Sequence, residues 1–421
     1  MNIGALFLAV TMMPAGGWNV TVEADGQNGM FTIEPPSLIE VRGEKHDRLP
    51  PPSNKPVWGK ECRFREVIAQ ICTVAWSVDM ESVSIRTVPD GRVLERGRDY
   101  EVDPQWGGIQ RLDTATIGTN TPISIDYAYR KRRIDSVVRD ADGRLALRKG
   151  EPATVTPTQP KLAAGETRIG NVFVDAQTMA IGPRNLFPVM EPPRKPVRLE
   201  RPQAAKLLPR TWTKLNAGET VTVLAWGDSV TECIYLPEKD KWQQQFIRRL
   251  RRRFPNADIR LVSNAWGGYC SNSFLKVPPE SPYHFETKVA GVKADLVISE
   301  FVNDCGQGRH IVANDYPKFL EAFRKARSEW IIMTPHYVRP DWMGLKDCHD
   351  SDDDPRPFVK ALRTFASEND IALADAARRW GHLWREGMPF STMYVNDINH
   401  PVAAGMTIFA DALMEVFGGD K

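Results

Sequence analysis

Val221-Thr222-Val223-Leu224-Ala225-Trp226-Gly227-Asp228-Ser229-Val230-Thr231 is the stretch on which the reading of this chain turns. Its first six residues form a largely apolar run, as expected of a parallel strand buried on both faces. Gly227 lets the backbone turn sharply off the sheet. Ser229 then falls at the strand end, at or near a helix start, where backbone N–H groups have no intrahelical acceptor. Such donors suit a developing oxyanion. Taken alone, the block has a plainer reading, because a serine in this place is commonly a helix N-cap.

Outward from this block, strands and helices alternate. Residues 241–254 place Trp242, Phe246, Ile247 and Leu250 on one helix side and arginines on the other. Residues 258–264, 294–299, 330–333 and 371–373 read as further strands, and 316–328, 357–369 and 401–417 as helices. Repeated strand–helix units imply a five-stranded parallel sheet covered by helices on both faces. Such sheets carry their sites at the carboxyl ends of the strands.

Residues 1–186 have a different grammar. Residues 83–88 and 123–129 alternate apolar and polar side chains. Pro89-Asp90-Gly91-Arg92, Gly107-Gly108, Asn120-Thr121-Pro122 and Asp142-Gly143 supply turns. This pattern predicts a β-rich antiparallel, sandwich-like domain, with one short helix over 63–72. Prolines cluster from Pro183 to Pro209, and 187–197 reads as a linker or an extended strap. The expected organisation is therefore an accessory domain over 1–186, a linker over 187–197 and a catalytic domain over 198–421. A length of 421 residues agrees with two domains at the prior of ~150 residues each.

Composition narrows the function. Fifty-five Lys+Arg against 53 Asp+Glu leave a net charge of +2, which argues against a nucleic-acid partner. No apolar run reaches the ~20 residues of a membrane span. Residues 3–13 are mostly apolar and resemble the core of a secretory signal, although no Lys or Arg precedes them; a first strand running into Trp18 to Val22 is the equal alternative. Localisation leans weakly towards secretion. None of the six cysteines forms a CxxC pair, so no zinc site is expected. Asp350, Asp352 and Asp354 imitate the start of a calcium loop, but Pro355 and Ala361 stand where Gly and Glu are needed, and a solvated acidic loop is expected. Arg248, Arg249, Arg251, Arg252 and Arg253 read as a solvated helix face. No phosphate loop is present, and neither cofactor nor metal is expected.

Three further segments follow strand ends or precede the last helix: Asn264-Ala265-Trp266-Gly267-Gly268-Tyr269, Phe301-Val302-Asn303-Asp304 and Asp397-Ile398-Asn399-His400-Pro401. A serine hydroxyl needs a base to take its proton, imidazole is the usual one, and a carboxylate can orient it. A glycine N–H and an asparagine amide are suitable oxyanion donors. Separately, each segment is equally a turn or a cap. An α/β-hydrolase elbow is disfavoured, since Thr231 replaces the second glycine it needs.

In this order the four blocks resemble those of the SGNH (GDSL-type) hydrolases, over roughly residues 200–418. The resemblance implies a flavodoxin-like three-layer α/β/α domain. It also implies Ser229 as nucleophile, His400 as general base and Asp397 as the residue orienting it. The oxyanion hole would comprise the Ser229 N–H, the Gly268 N–H and the Asn303 side chain, with Gly267 an alternative to Gly268. Phe301 departs from the glycine usual two residues before the Asn. The implied reaction is ester hydrolysis on an acylated small molecule or glycan. Trp266, Tyr269, Tyr283, His284, His336, Tyr337 and Trp342 suit a sugar face better than a fatty chain and favour a carbohydrate O-acetylesterase, although each is equally readable as a core residue. The alternatives are a lipase, thioesterase or arylesterase, or a glycan-binding surface protein with a degenerate hydrolase domain. Oligomeric state is not legible.

Overall fold

The computed structural model describes residues 10–52, 62–196, 199–350 and 352–420. Most of the signal-like stretch, the final linker residue Val197 and the first residue of the expected catalytic domain lie outside the described residues. The chain divides into two compact units, Met1–Pro192 with Trp384–Ile398, and Pro193–Leu383 with Asn399–Lys421.

The first unit is β-rich and its sheets are antiparallel. Ile123–Arg130 is the central strand of a sheet, between Leu38–His46 and Val78–Thr87. Its alternation is the one anticipated: Ile123, Ile125 and Tyr127 enter a core with Phe64, Ile85 and Val102. A second core forms around Val20, Val22, Val137, Val172 and Leu186. Arg133–Arg139 and Thr167–Val174 run through its four-stranded sheet. Phe187 and Pro188, expected in the linker, are instead the end of the strand Leu186–Pro188, paired to Asn171 and Gly170. The helix expected over 63–72 is replaced by a three-residue 3-10 turn, Arg65–Val67, flanked by two-residue strands. Gln70 has φ +53, a left-handed conformation that ends any helix there.

The second unit is the anticipated three-layer α/β/α domain. Its sheet orders Ile259–Ala265, Val221–Gly227, Leu296–Glu300, Glu329–Met333 and Ala372–Ala374, all parallel. In chain order this is 2-1-3-4-5, so the direction of winding reverses between the first and third strands. That is where the crevice of an open α/β sheet lies. The helices Trp242–Arg253, Tyr316–Ala326, Pro357–Glu368 and Ala403–Val416 match the expected ones within a few residues. Pro209–Ala217 and Ala376–His382 were not anticipated. Pro209–Ala217 starts on a proline, and the buried Glu329 carboxylate accepts the Arg210 and Thr211 N–H groups at 2.9 and 2.8 Å. A residue more than a hundred positions away thus caps this helix.

The sheet is anchored by Trp226, buried on the first strand. Its ring meets Phe301, Phe319, Phe285 and Phe274 at centroid distances of 4.8, 4.9, 5.4 and 5.6 Å, mostly edge to face. The basic helix is only partly a solvated face. Arg249 is buried between Asp411 and Asp420, and Arg253 donates to the Phe417 carbonyl. Trp226→Ala is expected to cost about 3–5 kcal/mol of stability, read as a lower urea midpoint.

Candidate active site

The first strand ends at Gly227 because nothing larger fits. A Cβ there would collide with Thr231 Oγ1 and lie 2.5 Å from the Glu300 carbonyl oxygen. The chain then makes one helical turn, Ser229–Glu232, capped by Asp228, whose carboxylate accepts the Val230 N–H at 3.0 Å. Ser229 thus opens the helix. Among the described residues its own N–H donates to no other group.

His400 Nε2 stands 3.0 Å from Ser229 Oγ. The imidazole is buried and stacks on Tyr235, centroids 4.5 Å apart and planes 2° from parallel. Burial pushes its pKa down to about 4. The ring is therefore neutral through the physiological range, and an unprotonated Nε2 can accept the serine proton.

The two glycines differ. The Gly267 N–H donates to Glu232 Oε2 at 3.1 Å. Gly268 has φ +82, and its N–H has no acceptor among the described residues. Asn303 opens a 3-10 turn after the third strand. Its backbone N–H donates to Asp228 Oδ2 at 2.9 Å, and its side-chain amide reaches the Tyr269 carbonyl at 3.3 Å. Ser229, Gly268, Asn303 and His400 all belong to the second unit.

Asp397 is assigned to the first unit. Its buried carboxylate is clasped by both Nη atoms of Arg132, one at 2.9 Å, and accepts the Ala75 N–H at 3.0 Å. Burial disfavours the Arg132 charge, but Asp397 beside it holds the guanidinium above the ordinary arginine range. The neighbouring Ile398 is buried with Ala69, Val74, Ala75 and Trp106. Nothing in the sequence marks Arg132 or Ala75, which lie 265 and 322 residues from Asp397. Tyr235 and Glu232 were also missed; proximity to Ser229 was their only signal.

The aromatic candidates sort by burial. His336 and Tyr337 are fully buried, which removes them from any substrate surface; His336 Nε2 lies 2.7 Å from the Asn399 carbonyl. His284 caps the short helix Phe285–Lys288. Trp266 is stacked between Tyr269 and Tyr283, at 3.6 and 4.4 Å, with Tyr269 exposed. Trp342 is also exposed. The acidic loop is not simply solvated: Asp354 is buried and paired with Arg356, which also donates to the His336 carbonyl at 2.7 Å. Cys62, Cys233, Cys270 and Cys305 are free thiols. Among the described residues no cluster of three His, Cys, Asp or Glu side chains could hold a metal ion. No helix there is long and apolar enough to cross a membrane.

Residues 225–408 match the model of the GDSL-like Lipase/Acylhydrolase family. The domain is thus a hydrolase domain of the SGNH type. Similar solved structures include an acetylxylan esterase from Geobacillus stearothermophilus, 18% identical, with TM-score 0.36 over 48% of this chain and 95% of that one. A two-domain esterase active on acetylated mannans is 15% identical, with TM-score 0.40, and this chain covers 52% of its length with 50% of its own. An alpha/beta hydrolase enzyme from the metagenome of Lake Arreo, Spain, is 17% identical, with TM-score 0.38 over 47% and 95%. No curated protein matches the chain.

Arg132→Met would leave the buried Asp397 carboxylate without its cation. It is expected to destabilise the protein by about 3–5 kcal/mol, visible as a lowered calorimetric Tm.

Proposed function

We propose that this chain is a serine esterase that removes O-acetyl groups from carbohydrate through an acyl-enzyme. The observation that carries the reading is the 3.0 Å approach of His400 Nε2 to Ser229 Oγ at a helix start. His400 takes the serine proton as Oγ attacks the ester carbonyl, and Asp397 is assigned the orienting role. The oxyanion is received by the N–H groups of Ser229 and Gly268 and the amide of Asn303. Gly268 is preferred to Gly267 because the Gly267 N–H is already given to Glu232. The tetrahedral species collapses and the alcohol leaves with the proton from His400. Water, deprotonated by His400, then attacks the acyl-enzyme, and acetate is released with Ser229 regenerated.

The sugar preference is supported by the Trp266 stack. Tyr269 lies between Gly268 and the Cys270–Ser271 turn, and its exposed aromatic ring offers a flat apolar face beside polar loop groups. Such a surface suits a pyranose better than a long acyl chain.

Ser229→Ala is expected to abolish p-nitrophenyl acetate hydrolysis while the circular dichroism spectrum is kept; equal activity of the folded variant would overturn the nucleophile assignment. Acetyl esters should be preferred to butyryl and longer ones, and a preference for octanoyl would overturn the deacetylase reading. The base works as neutral imidazole, and its pKa is pushed down to about 4. Activity should therefore be finally lost only as pH falls through about 4, well below the ordinary histidine value near 6.5.

A further inference from the structure

Behind the Ser229 turn three carboxyl groups are fully buried: Asp228, Glu300 and Asp304. They are not equivalent. Asp304 accepts the Ser271 N–H and hydroxyl at 2.8 and 2.7 Å and the Tyr316 hydroxyl at 3.2 Å. Asp228 accepts the Val230 N–H with one oxygen and the Asn303 N–H with the other. Glu300 receives only the Thr231 hydroxyl, at 3.3 Å, and its Oε1 has no partner.

We propose that Asp228 is a positioning residue whose ionised carboxylate ties the Ser229 turn to the Asn303 turn, while Glu300 beside it is carried as a neutral acid. The inference rests on Ser229 being the nucleophile. Val230 follows the nucleophile directly, and Asn303 supplies an oxyanion donor, so one rigid side chain sets the spacing between attacking atom and donor. A carboxylate whose oxygens both face N–H groups is stabilised in its charged form; a buried carboxyl with one weak hydroxyl partner is not. Glu300 cannot ionise next to Asp228 and Asp304 without both desolvation and like-charge repulsion.

The other titratable groups near Asp228 are Tyr235, Cys270 and Cys305, and the cation nearest in influence, Arg356, acts on Glu300. Burial raises the Asp228 pKa, opposed by the Asn303 and Val230 N–H groups and aided by repulsion from Asp304, and burial with repulsion from Asp228 raises that of Glu300. Protonating Asp228 costs one of its two acceptor interactions. Turnover should therefore fall in two steps on acidification, a partial one from Asp228 and the final one from His400.

The test compares two isosteric amide substitutions on p-nitrophenyl acetate. Asp228→Asn turns one acceptor into a donor facing an N–H. It should lower kcat about 10²-fold, the cost of a small misplacement of reacting groups, with KM little changed and the first acidic step gone. Glu300→Gln replaces one neutral group by another and should keep wild-type turnover. A folded D228N with wild-type kcat, or an E300Q as impaired as D228N, would overturn the inference. Should D228N not fold, the wild-type profile decides: two acidic steps support the tie and a single step at His400 overturns it. An inert S229A with an unaffected D228N removes this inference alone, whereas an active S229A removes the nucleophile assignment and this inference with it.

Discussion

Gly227 is the constraint on which the hydrolase unit depends. The first and third strands run side by side, Gly227 opposite Glu300, and the missing Cβ lets the carbonyl of Glu300 and the hydroxyl of Thr231 close over that position. The ends of the two strands are thereby brought together at the point where the sheet reverses its winding. The residues that follow each strand, Ser229 and Asn303, converge for that reason. Trp226, one residue earlier, holds the same strand from the other side through its cage of phenylalanines. Shape at 226–227 is thus converted directly into the position of a hydroxyl.

Buried charge is handled in two ways. Arg132 with Asp397 and Arg356 with Asp354 are matched buried ion pairs, and the buried Arg249 guanidinium is matched by the more exposed Asp411 and Asp420. Asp228 and Asp304 are matched by N–H and O–H donors instead, and Glu300 hardly at all. Glu329 likewise accepts the Arg210 and Thr211 N–H groups, so donor-matched carboxyls are found at a helix start as well as beneath the Ser229 turn.

How much was legible depended on the range of the interaction. The parallel sheet was readable because each strand is a local apolar run and each helix a local stripe, periodicities set by the backbone itself. The helix imagined over 63–72 failed because apolar spacing there could not reveal the left-handed turn at Gln70. For His336 and Tyr337 the core reading and the sugar-facing one stayed equal, because an aromatic on a loop after a strand looks the same in sequence whether it points to solvent or into the core. The basic run at 248–253 hid a buried Arg249, since the acids that take it in lie more than 160 residues further on.

By itself the sequence determined the order of strands and helices in the hydrolase unit, the β-rich character of the first unit, and the blocks carrying Ser229, Gly268, Asn303 and His400. These are patterns of neighbouring residues, and neighbouring residues set local conformation. Only the tertiary structure decided which glycine keeps a free N–H, that Tyr235 stacks on His400, that Asp228 bridges two turns, and that Asp397 is held by Arg132 and the Ala75 N–H within a unit built mainly from the other end of the chain. Each is a hydrogen bond or ring contact between residues distant in sequence or in different turns. Its partner is selected by packing geometry, which no local spacing encodes.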